Sequence, residues 1–182
     1  MKIKDILIML IIIFILYLYS KPRYISWLPT MYFMYNNKEA DETYKYRRRM
    51  TREEYKFFRF TDMTIAHAFK PHVNESIEEL YYMIDEIDIE MSFFKLLINR
   101  PRPYQINKGI DYLESQTDKT PSMPAGHAYA AYYLEKKLSK KYPEKKEIFK
   151  KLAKKCDMVR VKAGIHYKSD GELSKKLVDY FH

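Results

Sequence analysis

From Ile77 onward, apolar residues return every three or four positions: Ile77, Leu80, Ile84, Ile87, Met91, Phe94 and Ile98. This spacing sets them on one face of an α-helix. Pro101 and Pro103 must end it, because proline lacks the N–H that the next turn needs and keeps its predecessor out of helical geometry. Helical spacing governs the rest of the chain too. No run alternates polar and apolar residues as a half-buried strand does, and there are only 4 glycines in 182 residues. The expected fold class is all-α, a helical bundle. The length suits one domain with its own core. A single cysteine, Cys156, excludes an intrachain disulfide.

Punctuation divides the bundle. Thr51-Arg52-Glu53-Glu54 has the form of a capping box and opens a helix expected to reach about residue 70, before Pro71. Asn74 or Ser76 caps the next, read as one long helix ending near Arg100. Another is expected from near Ala125 to Tyr142. A further helix runs from Glu144 to about residue 162, with Ile148, Phe149, Leu152, Ala153 and Cys156 facing inward. Ser169 to Glu172 has capping-box form and opens the last helix, to about residue 181.

The first residues differ from the rest. Residues 6–19 carry no charge and are almost wholly aliphatic or aromatic, between Lys2 and Lys4 on one side and Lys21 and Arg23 on the other. The run is at the short limit for a bilayer span, and flanking lysines and tyrosines can extend it. Residues 1–23 are expected to be an uncleaved membrane anchor that makes the protein single-pass. A signal peptide is the rival, but no small-x-small cleavage site follows. Residues 24–43 are expected to form an interfacial segment and linker, and residues 44–182 the helical catalytic domain.

Three short stretches carry the chemistry. Lys95 falls on the last turns of the long helix, and Arg102 lies on a proline-held extended segment. An ammonium and a guanidinium can thus meet one anion from two directions. Pro124-Ala125-Gly126-His127 precedes a helix, whose first N–H groups favour an anion. Gly126 permits close approach, and His127 can protonate a leaving oxygen. In the third stretch His166 and Asp170 are four residues apart, so the carboxylate can fix the imidazole tautomer. Arg160 falls on another face of an ideal helix, and Gly164 offers the break that would bring it to His166. Together they read as a phosphate pocket. The net charge of +9 fits an anionic partner.

In order and spacing these stretches resemble the three motifs of the type 2 phosphatidic acid phosphatase and vanadium haloperoxidase superfamily. The first is Lys, six residues, Arg-Pro, and Lys95 selects Arg102-Pro103 over Arg100-Pro101. The second, Pro-Ser-Gly-His, is met by Pro124-Ala125-Gly126-His127. The third, Ser-Arg, five residues, His, three residues, Asp, is met by Val159-Arg160, His166 and Asp170. The resemblance implies a helical bundle and a metal-independent phosphatase without a cofactor. His166 would attack phosphorus to form a phosphohistidine, with Asp170 orienting it. His127 would protonate the leaving oxygen and then activate water. Lys95, Arg102, Arg160 and the Gly126 N–H would hold the phosphoryl oxygens.

Ala125 and Val159 stand where the family has serine. The loss of one donor to a charged group costs on the order of 1.5–3 kcal/mol, which predicts a slower or weaker-binding enzyme. The expected substrate is a lipid phosphate, of the phosphatidic acid or polyprenyl diphosphate type. A haloperoxidase and a non-catalytic binder of anionic lipid are the alternatives. The lysine pairs from Lys136-Lys137 to Lys154-Lys155 form either a solvated face or a basic face toward the membrane. Nucleic acid is not an expected partner, because no recognition motif accompanies the charge.

Overall fold

A computed structural model of the chain describes residues 37–182 and, before them, Ile6, Ile8, Met9, Ile12 and Tyr24. Among the described residues all regular structure is helical, and there is no strand. In chain order the α-helices are α1 (Asn37–Arg48), α2 (Arg52–Phe60), α3 (Ala66–Phe69), α4 (Ile77–Asp85), α5 (Asp88–Ile98), α6 (Pro103–Ile106), α7 (Gly126–Lys141), α8 (Lys146–Lys162) and α9 (Lys168–Phe181). Most of the expected anchor lies outside the described residues. Ile6, Ile8, Met9 and Ile12 are helical and exposed. Among the described residues no helix is long and apolar enough to cross a membrane.

Helix α7 is the axis. Every residue from His127 to Leu134 is buried, so its first turns have no solvent face. Alanines at 128, 130 and 131 let neighbouring helices close on it, and Tyr129, Tyr132 and Tyr133 fill the gaps with rings. A short 3-10 turn at Pro143–Lys145 folds α8 back against α7. α9 then packs beside α7, with the Ser174 hydroxyl donating to the Ala125 carbonyl at 3.1 Å. This topology brings the start of α7, the end of α8 and the start of α9 to one end of the bundle. Lys146, Lys150, Lys151, Lys154 and Lys155 are exposed on α8, on the face away from the buried Phe149, Ala153 and Cys156.

Two expected caps are present. Thr51 and Glu54 close a capping box on α2, at 2.9 and 3.2 Å. Ser76, not Asn74, does the same with Glu79 on α4, at 2.6 and 3.1 Å. Five readings need correction. Ile148, expected to face inward, is exposed on α8, to one side of the stripe formed by Phe149, Ala153 and Cys156. The helix from Thr51 stops at Phe60, where the Thr61 hydroxyl turns back onto the Phe57 carbonyl at 2.8 Å and competes with the next turn. The long helix from Ile77 is two, α4 and α5, parted at Glu86 and Ile87. Acidic side chains at 85 and 86 suit a helix end poorly, whereas Asp88 and Glu90 suit a new beginning. The last helix opens one residue before Ser169, with the Asp170 carboxylate accepting the Tyr167 N–H at 2.9 Å. Finally, residues 37–43, expected as linker, belong to α1.

Gly171 shows how tightly the bundle closes. A Cβ there would lie 2.0 Å from Asp157 Oδ1 and 2.5 Å from its Cγ. The Tyr132 hydroxyl holds that buried carboxylate at 2.9 Å and Lys154 at 3.2 Å. Room for a methyl group comes only by breaking this pair. Gly171→Ala should therefore lower stability by about 1–3 kcal/mol, measured as a lower urea midpoint with the slope unchanged.

Candidate active site

At the shared end of α7, α8 and α9 lies a cavity of about 310 Å³. Its polar wall contains Lys95, Arg102, Gly126, His127 and His166, together with Thr117 and Thr120. Met63, Ile65, Ile84, Ile87, Met91 and Ala130 make the apolar side. Five of the seven residues singled out from the sequence thus line one space. Asp170 stands behind His166, and Arg160 is not in the wall.

His166 reaches the cavity because α8 ends cleanly. Gly164 has φ +79, a left-handed residue just past the helix, and a Cβ on it would meet Ile110 and Tyr112. Two residues later, His166 Nδ1 faces Asp170 Oδ2 at 3.1 Å, and Nε2 faces Arg102 Nη1 at 3.1 Å. A guanidinium only donates, so Nε2 is the bare nitrogen and Nδ1 carries the proton toward Asp170. Burial, then the Arg102 charge, push the His166 pKa down to about 3. The ring is a neutral base with its lone pair turned to the cavity side.

Arg102 is fully engaged. Its N–H groups go to the carbonyls of Thr120, Ile165 and Thr117, to the Thr120 hydroxyl and to His166. An arriving phosphoryl oxygen must take over one of these bonds, and the one to His166 Nε2 is at the cavity. Lys95 donates to the Pro121 carbonyl at 2.6 Å. Burial first, and then Arg102, hold its pKa well below the usual lysine value. A Cβ on Gly126 would lie 2.9 Å from Met91 Sδ and 3.8 Å from Lys95 Cε. The glycine therefore lets α5 and its lysine come against the start of α7.

His127 Nε2 lies 2.9 Å from the Asp62 carbonyl and must donate to it. Nδ1 is the nitrogen left for proton exchange. Burial, followed by the Arg160 charge, pushes its pKa well below the usual value. Ala125 is fully buried at the N-cap of α7, with no side-chain cap.

Arg160 departs from the sequence reading. It is completely buried, and it donates to the Phe58 carbonyl at 3.2 Å and to the Thr61 carbonyl and hydroxyl at 2.6 and 2.9 Å. It satisfies the open carbonyl end of α2 instead of facing the cavity. Its charge still acts on the site, through His127.

Three residues that the sequence reading passed over stand beside the site. Arg100, set aside in favour of Arg102, pairs with Asp170 Oδ1 at 2.7 Å and with Glu39 at 2.8 Å. Ser169 joins this cluster, its hydroxyl accepting from Arg100 at 2.6 Å. The repeated Arg-Pro was a signal for Arg100; nothing in the sequence pointed to Glu39 from so far away. Burial works against the Asp170 charge, but Arg100, His166 and the Tyr167 N–H outweigh it and hold the pKa below the usual carboxylate value.

No protein-family model matches the chain. No curated protein matches it in sequence. The resemblance to that superfamily thus rests on three motifs, from which Lys95, Arg102, Gly126, His127 and His166 line one cavity.

Both site histidines are buried uncharged, so they make stability pH-dependent. The unfolded chain takes up their protons near pH 6.5, while the folded protein resists until much lower pH. The contribution of these two rings is thus full above about pH 6.5 and falls as pH drops, by up to about 1.4 kcal/mol per pH unit for each histidine. Asp170, with its depressed pKa, adds a loss in the same direction below about pH 4. Urea midpoints between pH 7.5 and 4.5 should show the decline, with a shallower slope in His127→Gln. A flat profile would count against neutral buried rings.

Proposed function

We propose that this protein hydrolyses phosphate esters through a phosphohistidine at His166. The observation that carries the reading is the His166 ring, held by Asp170 at Nδ1 and turned with a bare Nε2 toward a cationic cavity. In the first step the Nε2 lone pair forms a bond to phosphorus as the ester P–O bond breaks. Asp170 balances the positive charge gained by the ring. His127, protonated at Nδ1 once the anionic substrate is bound, gives that proton to the departing oxygen. In the second step His127 takes a proton from water, the oxygen attacks phosphorus, and the N–P bond breaks to release phosphate and restore His166.

Charge builds on the phosphoryl oxygens in both steps. Lys95, Arg102 and the first N–H groups of α7 offer it a fixed, water-poor cationic setting. The depressed pKa of His127 suits this role, because a bound dianion raises it and makes the ring a proton carrier, and the same dianion favours the charged form of Lys95. Arg160 acts on the oxygens only at a distance, unless its bonds to Phe58 and Thr61 are exchanged. The apolar side of the cavity supports an ester with a hydrophobic organic part, hence a lipid phosphate at a membrane.

A second reading has support of its own. Ala125 lacks the expected hydroxyl, and every N–H of Arg102 already has a protein partner. Both features suit a member that binds anionic lipid and turns it over poorly or not at all.

Two measurements separate these readings. With EDTA present, full-length protein offered phosphatidic acid, an isoprenyl diphosphate and an aryl phosphate should release phosphate from at least one, and His166→Ala from none. Equal release by wild type and variant would sink the enzyme. Separately, calorimetric titration with inorganic phosphate at pH 7, in buffers of different ionisation enthalpy, should reveal net proton uptake on binding. Binding without proton uptake would contradict the assigned neutral state of His127.

A further inference from the structure

Arg100 has no part in the chemistry just described, yet it is among the most completely buried large side chains of the protein. One Nη1 reaches Asp170 Oδ1 at 2.7 Å and the Ser169 hydroxyl at 2.6 Å, while Nη2 meets Glu39 Oε2 at 2.8 Å. The guanidinium carbon lies over the Tyr167 ring, 3.8 Å from its centroid. Glu39 is fixed in turn by the Ser169 N–H at 3.0 Å and its hydroxyl at 2.8 Å. The arginine therefore has one available position, set by two carboxylates, a hydroxyl and an aromatic face.

We propose that Arg100, and Glu39 through it, are positioning residues for His166, holding the Asp170 carboxylate so that only Oδ2 is presented to the imidazole. The proposal rests on the reading of His166 as the nucleophile.

The two oxygens of Asp170 do separate work. Oδ1 is taken by Arg100, while Oδ2 accepts both His166 Nδ1–H and the Tyr167 N–H. An aspartate bound at one oxygen alone can turn about its Cβ–Cγ bond, and a turned carboxylate no longer selects the Nδ1–H tautomer. Arg100 removes that freedom. The Arg100-Pro101-Arg102 connection between α5 and α6, extended at Arg102, makes the arrangement possible by bringing two arginines two residues apart to the same His–Asp pair. Arg102 thus meets the His–Asp pair at Nε2, and Arg100 meets it at Oδ1. A purely structural filler would not need this form. Buried ion clusters are seldom more stabilising than apolar side chains of equal volume, so what this one adds is a fixed geometry.

Full-length wild type, Arg100→Ala, Arg100→Lys and Glu39→Gln would be compared on an aryl phosphate, with the His166 ring followed by ¹⁵N NMR. Arg100→Ala should lower kcat about 100-fold, the scale of a misplaced catalytic group, with KM little changed. Its acid limb should move to higher pH, because Asp170 without its partner takes up a proton more readily. Arg100→Lys keeps the charge, so its acid limb should stay near wild type while kcat remains low. Glu39→Gln should show a smaller loss of kcat. The Nδ1–H tautomer should predominate in wild type and mix with the Nε2–H form in Arg100→Ala. An active wild type whose Arg100 variants keep kcat, acid limb and tautomer would overturn the proposal. If wild type releases no phosphate from the aryl ester, from phosphatidic acid or from an isoprenyl diphosphate, the hydrolase reading fails, and the tautomer ratio alone decides the positioning role. If Arg100→Ala does not fold, Arg100→Lys and Glu39→Gln decide it by the same readouts.

Discussion

A single carboxylate, that of Asp170, holds the working end of this bundle together. It is wholly buried, and a charge taken out of water needs several partners to persist. It finds three partners: Arg100 between α5 and α6, and, just before its own helix, the His166 ring and the Tyr167 N–H. Its backbone adds a fourth link, the Asp170 carbonyl accepting from Ser174 and from the Ala125 N–H at the mouth of α7. Three stretches, around Arg100, around Ala125 and from His166 to Ser174, converge because one anion must be satisfied.

The buried arginines show how context divides identical side chains. Each carries five N–H donors and no acceptor, so in a core each must find oxygen. Arg100 finds carboxylates, Arg102 finds loop carbonyls and an imidazole, and Arg160 finds the open end of α2. Only Arg102 does so at the cavity wall. Arg160 ends one helix from the last turns of another, and by doing so directs residues 62–65 toward the cavity beside His127.

Much of the fold was legible locally. Caps at Thr51 and Ser76, the stop before Pro101 and the break at Gly164 are short-range events, fixed by which backbone groups a neighbouring side chain can reach. The breaks at Thr61 and at Glu86–Ile87 were hidden, because apolar spacing runs through both. Thr61 is pulled out of the helix by its own hydroxyl and by Arg160, 99 residues away. Glu86 is held by Tyr133 and Lys137 of α7. Neither partner is visible in a local pattern. Glu39 was hidden for the same reason, its partners being 61 and 130 residues further on.

The sequence by itself determined that the described residues are helical, where α7, α8 and α9 begin and end to within a residue or two, and that lysine, arginine, histidine and aspartate stand at the spacings of three short motifs. Those properties follow from backbone sterics and from periodicity, which act within a few residues. Only the tertiary structure decided which cations meet the cavity, which nitrogen of His166 is bare, and that Arg100 stands behind Asp170 while Arg160 serves a helix end. These outcomes depend on how buried charges share a limited set of oxygens, a competition among residues that meet only when the bundle closes.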